Sequence, residues 1–149
     1  MFVLAAHEHI ANVLAALHRP ASQQLQPVRR IMIAGGGRLG LRLARQLSQA
    51  GGRFHIKIIE DHADRCVELA SALPPEVLVL QGDTTDEDLL GDEGIEEVDL
   101  FLALTDDDED NIMSCLLAKR MGASRVLALI NRRSYADLMH GTQIDIALS

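Results

Sequence analysis

From Val28 onward the chain alternates between short apolar runs and longer stretches whose apolar positions recur every three or four residues. The runs lie at 30–35, 54–60, 76–81, 98–104 and 125–130, with a last short one at 144–147. Apolar runs of this length, bounded by turn residues, read as strands buried on both faces. Helical periodicity fills the gaps at 38–50, 62–72, 86–91, 107–121 and 133–140. On the first of these helices Leu39, Leu43 and Leu47 are predicted to face inward. On the fourth the prediction is Ile112, Leu116 and Leu117. Gly51-Gly52, Pro74-Pro75 and Gly122 are the expected stops. Strand and helix in alternation predict an α/β fold, a doubly wound six-stranded parallel sheet with helices on both faces.

Before Val28 the pattern differs. Residues 2–6 read as a strand, and 8–18 as a helix with Ile10, Val13, Leu14 and Leu17 on one face. The polar stretch between Pro20 and Pro27 reads as a linker. One strand and one helix make no core of their own. The expected partition is therefore 1–19 as the remnant of a preceding lobe, 20–28 as a linker and 29–149 as the α/β domain.

The first strand runs into Gly35-Gly36-Gly37-Arg38-Leu39-Gly40. Gly35, Gly37 and Gly40 have the G-x-G-x-x-G spacing of a dinucleotide-binding turn. In a Rossmann domain the first glycine makes the tight turn, the second admits a pyrophosphate to the backbone, and the third packs helix on strand. The helix start then offers free N–H groups to a phosphate. Glu60 ends the second run, 20 residues past Gly40, where such a domain places the acid that binds ribose hydroxyls. A carboxylate there disfavours a 2′-phosphate and so NADP; the plain alternative is a solvated strand end. Asp61 competes for the same role. Arg38, inside the turn, suits phosphate oxygens and widens the ligand class to ATP or ADP beside NAD(H).

Composition narrows the classes. The net charge of −8 argues against binding to nucleic acid phosphates or anionic lipid. Aromatic residues are 3% of the chain, which argues against base stacking. An apolar share of 48% with 24% charged is that of a globular domain. No apolar run approaches membrane-spanning length, so no direct membrane insertion is expected. Cys66 and Cys115 lack metal-ligand spacing and read as reduced thiols.

The remaining candidates carry two readings each. Asp83, in Gly82-Asp83-Thr84, either accepts a hydrogen bond from an adenine amino group or caps the next helix. Thr105 either borders the ligand crevice or caps the helix after it, with Asp108 three positions on. The acidic run from Asp106 to Asp110 suggests either a divalent metal or carboxylates favoured by a helix dipole, and the second reading is preferred. The six histidines share no ligand spacing and read as structural or solvated. No catalytic set is visible.

Five segments resemble the RCK (KTN) domains of TrkA-type regulatory subunits of bacterial potassium-uptake systems. They are IMIAGGGRLGLRLA (31–44), IKIIE (56–60), LQGDTTDEDLL (80–90), VDLFLALTDDDEDNIMSCLLAKRMGA (98–123) and VLALINRRSYADLM (126–139). The chain looks like the second of the two such domains in that family. Residues 2–18 are similar to the end of the first domain's C-terminal lobe.

The resemblance implies a non-enzymatic, cytoplasmic regulator, peripheral on the inner face of the membrane. Such regulators assemble as homo-oligomeric rings under a membrane potassium transporter or channel subunit. The cofactor would be NAD(H), with ATP or ADP as alternatives. The candidate cofactor-binding set is Gly35, Gly37, Arg38, Leu39, Gly40, Glu60, Asp61, Asp83, Thr84 and Thr105. No catalytic or metal residues are expected. Two other readings are the cofactor half of an NAD-dependent dehydrogenase and an RCK-type domain of a potassium/proton antiporter.

Overall fold

The computed structural model describes residues 28–50, 53–142 and 145–148. The expected strand and helix at 2–18, the linker and the Gly51-Gly52 stop lie outside the described residues. The element order is β1 (Arg30–Ala34), α1 (Arg38–Ser48), β2 (His55–Glu60), α2 (Ala63–Ala72), β3 (Leu78–Gln81), α3 (Glu87–Asp92), a 3₁₀ turn (Ile95–Glu97), β4 (Leu100–Ala103), α4 (Asp108–Arg120), β5 (Arg125–Ile130), α5 (Arg133–Met139) and β6 (Asp145–Leu148). The 3₁₀ turn was not legible in the apolar pattern.

The sheet has six strands in the order β3-β2-β1-β4-β5-β6, and every pairing is parallel. Alternate residues of a strand point to opposite faces, and here both faces are covered. Ile31, Ile33, Leu100, Leu102, Leu127 and Leu129 pack on one side with Leu43 and Leu47 of α1 and Leu69 of α2. Met32, Ala34, Phe101, Ala103, Val126, Ala128 and Ile130 pack on the other with Leu90, Cys115, Ala118 and Ala136. That double burial is why the central strands read as unbroken apolar runs.

Two predicted helix faces need correction. Leu39 does pack on the first layer but is only half-buried, because it also borders the open cleft. On α4 the buried positions are Asp108, Asn111, Ser114, Cys115 and Ala118; Ile112 and Leu117 are partly buried against the second layer as expected, while Leu116 is 46% exposed. Small and polar residues let this helix approach β4 and β5 closely. Gly122 does stop α4. Its φ of +117° allows the bonds Gly122 N–H to Lys119 O and Ala123 N–H to Ala118 O, which close a helix end.

Candidate functional site

The strand order reverses between β1 and β4. Chain crossovers leave on opposite faces there and open a crevice at the carboxyl ends of the strands. A cavity of about 750 Å³ lies in this place, walled by the segments that follow β1 to β5.

The floor is the glycine turn. Gly35 has φ +113°, and its N–H donates to Ile59 O at 2.8 Å. A Cβ there would lie 2.9 Å from Thr105 Cγ2, so the turn is pressed against the segment after β4. Gly37 precedes α1 with no side-chain cap. A Cβ on it would meet nothing within 4 Å. The backbone is thus bare toward the cavity, and the first N–H groups of α1 are available to an anion.

Glu60 forms one wall. It is 8% exposed. Its Oε1 accepts the Gly36 N–H at 2.9 Å. Its Oε2 accepts the His62 N–H at 2.9 Å and faces His62 Nδ1 at 2.8 Å. Burial works to raise the pKa of this carboxyl, but the bonds from the His62 backbone and ring and from the Gly36 N–H prevail and hold it at about 2. Glu60 therefore enters any ligand exchange as an anion. His62 Nδ1 also lies 2.7 Å from Asp61 Oδ1. Asp61 is raised, mainly by its hydrogen bond with the Glu60 carboxylate. Among the described residues Glu60, Asp61 and His62 bring their donor atoms within 4.8 Å of one another. The 2.7 and 2.8 Å separations are those of a hydrogen-bonded triad.

The opposite wall is built by α4. Asp107 caps that helix, accepting the Asp110 N–H at 3.0 Å. Asn111, fully buried, fastens the segment after β4. Its Oδ1 accepts Thr105 N–H at 3.0 Å and Thr105 Oγ1 at 2.6 Å. Its Nδ2 donates to Thr105 O at 2.9 Å and Leu129 O at 2.8 Å. Asp108, also buried, accepts the N–H groups of Asn131 and Arg132 at 2.9 and 2.8 Å. Asp110 faces the cavity. Its pKa is raised by burial and then by the charges of Asp107, Asp83, Asp61 and Glu109.

A family model for the TrkA-N domain matches residues 31–149. The chain belongs to the TrkA-N domain family. Over all 149 residues it is 45% identical to a Trk system potassium uptake protein TrkA of Vibrio alginolyticus. It is 46% identical to one of Halomonas elongata. It spans 31% of the length of each. Among solved structures, a GsuK channel bound to NAD superimposes with a TM-score of 0.64 at 14% identity, over 95% of this chain and 26% of that one. A Kef C-terminal domain of Shewanella denitrificans in an AMP-bound form superimposes with a TM-score of 0.61 at 24% identity, over 79% of this chain and 71% of that one. These likenesses are of fold. The α/β Rossmann-like sheet and the family read from the sequence are thereby borne out.

In this TrkA-N domain Gly35, Gly37, Arg38, Leu39, Glu60, Asp61, Asp83, Thr84 and Thr105 all line the cavity. Gly40 does not. It lies behind the turn, where a Cβ would fall 2.1 Å from Gly35 O. The capping alternatives of two candidates are corrected. Asp83 accepts from Thr85 N–H and Oγ1 at 2.8 and 2.7 Å, and the cap of α3 is Asp86. Thr105 accepts the Asp107 N–H at 3.2 Å, and the cap of α4 is Asp107.

Four residues of the site were not singled out as such from the sequence. Gly36 donates to Glu60 and has no room for a Cβ, which would lie 2.3 Å from Leu69 Cδ1. His62 was read as structural or solvated, yet it holds the ribose-acid candidate. Arg65 donates from Nε to Gly36 O at 2.5 Å, tying α2 to the turn. Asn111 sits on a helix predicted to bury leucines. A glycine triplet and an His two residues after a strand-end acid were the available signals for the first two.

Proposed function

We propose that this domain binds an adenine nucleotide, NAD(H) or alternatively ATP or ADP, and acts as a regulatory module of a bacterial Trk-type potassium-uptake system. The observation that carries the reading is the pairing of a bare glycine turn with an ionised Glu60 across one cavity. The turn suits a pyrophosphate and the carboxylate suits a ribose diol. The family membership and the names of the relatives support the potassium-uptake assignment. The ligands bound in two fold neighbours, NAD and AMP, support the ligand class.

Gly35, Gly37, Arg38 and Leu39 would take the phosphates, with Gly40 holding the helix behind them. Glu60 and Asp61 would take the ribose, and Asp83 and Thr84 the adenine side. Thr105 would border ribose and phosphates. The domain is a sensor and not an enzyme on this reading. It would sit at the cytoplasmic face, in a homo-oligomer whose partner is a membrane potassium transporter or channel subunit. The nucleotide biases that assembly only by binding one arrangement better than another. No helix among the described residues is long and apolar enough to cross a membrane.

The test is calorimetric titration with NADH, ATP and NADPH in parallel. NADH or ATP is expected to bind and NADPH to bind at least about tenfold more weakly, a difference of about 1.4 kcal/mol. Glu60→Ala should erase that difference, and Arg38→Ala should weaken every phosphate ligand. Equal binding of NADH and NADPH to the wild type would remove Glu60 from the ribose role.

A further inference from the structure

Glu60 has little hydrogen-bonding capacity left. Each carboxylate oxygen offers two lone pairs. On Oε2 both are taken by His62, through its N–H at 2.9 Å and its ring at 2.8 Å. On Oε1 one is taken by the Gly36 N–H. A ribose diol brings two hydroxyl donors, so one of the present partners must yield. Gly36 N–H is fixed by the glycine turn, and His62 N–H by the place of that residue at the start of α2. The imidazole, with its side chain 79% exposed, is the group that can swing out. It is held on both sides, since Nδ1 also faces Asp61 Oδ1 at 2.7 Å. Both neighbours are acceptors, so Nδ1 carries the hydrogen.

We propose that His62 is a proton-operated latch on the ribose-binding carboxylate, so that nucleotide affinity falls as His62 takes up a proton. The proposal rests on the nucleotide-binding reading above and adds a regulation of that same cleft. Protonated, the ring makes charge-assisted bonds to two carboxylates. Neutral, it makes an ordinary bond and gives way to a ribose hydroxyl. The Glu60 hydrogen bond first, and then the charges of Asp61 and Glu60, hold the ring's pKa above its usual value. That moves the changeover from the acid side toward neutrality.

The other charged groups of the cleft are Arg38 from α1, Arg65 from α2, Asp83 after β3, and Asp106, Asp107 and Asp110 at the head of α4. Burial and neighbouring charges hold Asp110 above the ordinary carboxylate value, so the variants below separate it from His62. The sign follows from linkage. The free protein holds the proton more tightly than the complex, in which Glu60 has changed partners. Binding therefore releases a proton and strengthens as pH rises.

The experiment uses NAD⁺, whose pyrophosphate diester keeps its charge wherever histidine titrates. Its affinity for the chain is measured by calorimetry from about pH 8.5 to about pH 5.5. The wild type is expected to weaken about tenfold toward the acid end. His62→Ala should give a flat profile at or above the wild type's alkaline affinity. His62→Gln, which keeps a donor without a titration, should also be flat. In the ligand-free chain, an NMR titration should place the His62 midpoint above that of an unperturbed histidine, and Glu60→Gln should lower it. A flat wild-type profile with binding intact overturns the latch and leaves the nucleotide reading standing. A His62→Ala profile as steep as the wild type's does the same. Failure of NAD⁺ to bind at any pH, with NADH and ATP also failing in the parallel titrations, overturns both.

Discussion

At the scale of single residues the cleft depends on buried polar side chains whose bonds are all made inside the protein. Asn111 is the clearest case. One amide joins the backbone after β4 to the end of β5 through four hydrogen bonds. An Asn111→Asp substitution keeps the acceptor that faces Thr105. It turns the donor that faces two carbonyls into a second acceptor. The new carboxyl would be favoured in its protonated form, with its folded pKa above the unfolded value. Stability should then be near wild type at low pH and be lost as pH rises through the folded pKa. Chemical denaturation is expected to show a deficit of about 2–4 kcal/mol at pH 7 that shrinks as pH falls through the folded pKa and is smallest below about pH 4. A deficit independent of pH would mean that the site relaxes instead of burying the charge. Asp108 works by the opposite logic, since its carboxylate meets only donors from Asn131 and Arg132.

At the scale of elements, the turn from β1 into α1 separates two uses of glycine that a motif treats alike. Gly37 is open to the cavity, while Gly40 is pressed on the carbonyl of Gly35. Gly37→Ala should leave thermal stability within about 1 kcal/mol of wild type, because its φ of −71° suits any residue. The same substitution should weaken nucleotide binding by crowding the phosphates. Gly40→Ala should cost about 2–4 kcal/mol, because α1 must move off the turn to make room. Melting curves and NADH titrations of the two variants check this pair. Equal destabilisation by both would contradict the geometry. The acidic first turn of α4 divides in the same way. Asp107 caps the helix, Asp108 pins the segment after β5, and Asp110 faces the cleft. Three neighbours in sequence thus serve three different contacts.

At the scale of the whole molecule, one sheet carries two apolar layers, and the cleft lies where their crossovers part. Cys115 reports on the layer formed by α4. It is fully buried, and burial pushes its thiol well above the usual range. Cys66 is half-buried beside the Glu60 carbonyl, its Sγ 3.4 Å from the oxygen. A thiol reagent is expected to modify Cys66 in the folded protein. Cys115 should react only through openings whose free energy matches global unfolding. Labelling of both at the same rate in native buffer would show that α4 opens on its own. A nucleotide bound across the cleft should slow Cys115 further, through the stabilisation that any native-state ligand confers.

The alternation of strands and helices, the parallel class of the sheet, the glycine turn and the acid at the end of β2 were all legible in the chain alone. These are local signals, set by apolar runs, turn residues and fixed spacings within one unit. It also carried the family, because the motif segments are continuous. Which face of α4 is fully buried needed the folded structure, since that face is polar and small and its partners come from β4 and β5. It decided that Asp86 and Asp107 are the caps and that Asp83 and Thr105 bond elsewhere. It also decided that His62 and Arg65 belong to the cleft. The α4 face and Arg65 rest on contacts between segments 18 to 29 residues apart, while the caps and His62 make bonds two or three residues away, and apolar periodicity records neither kind.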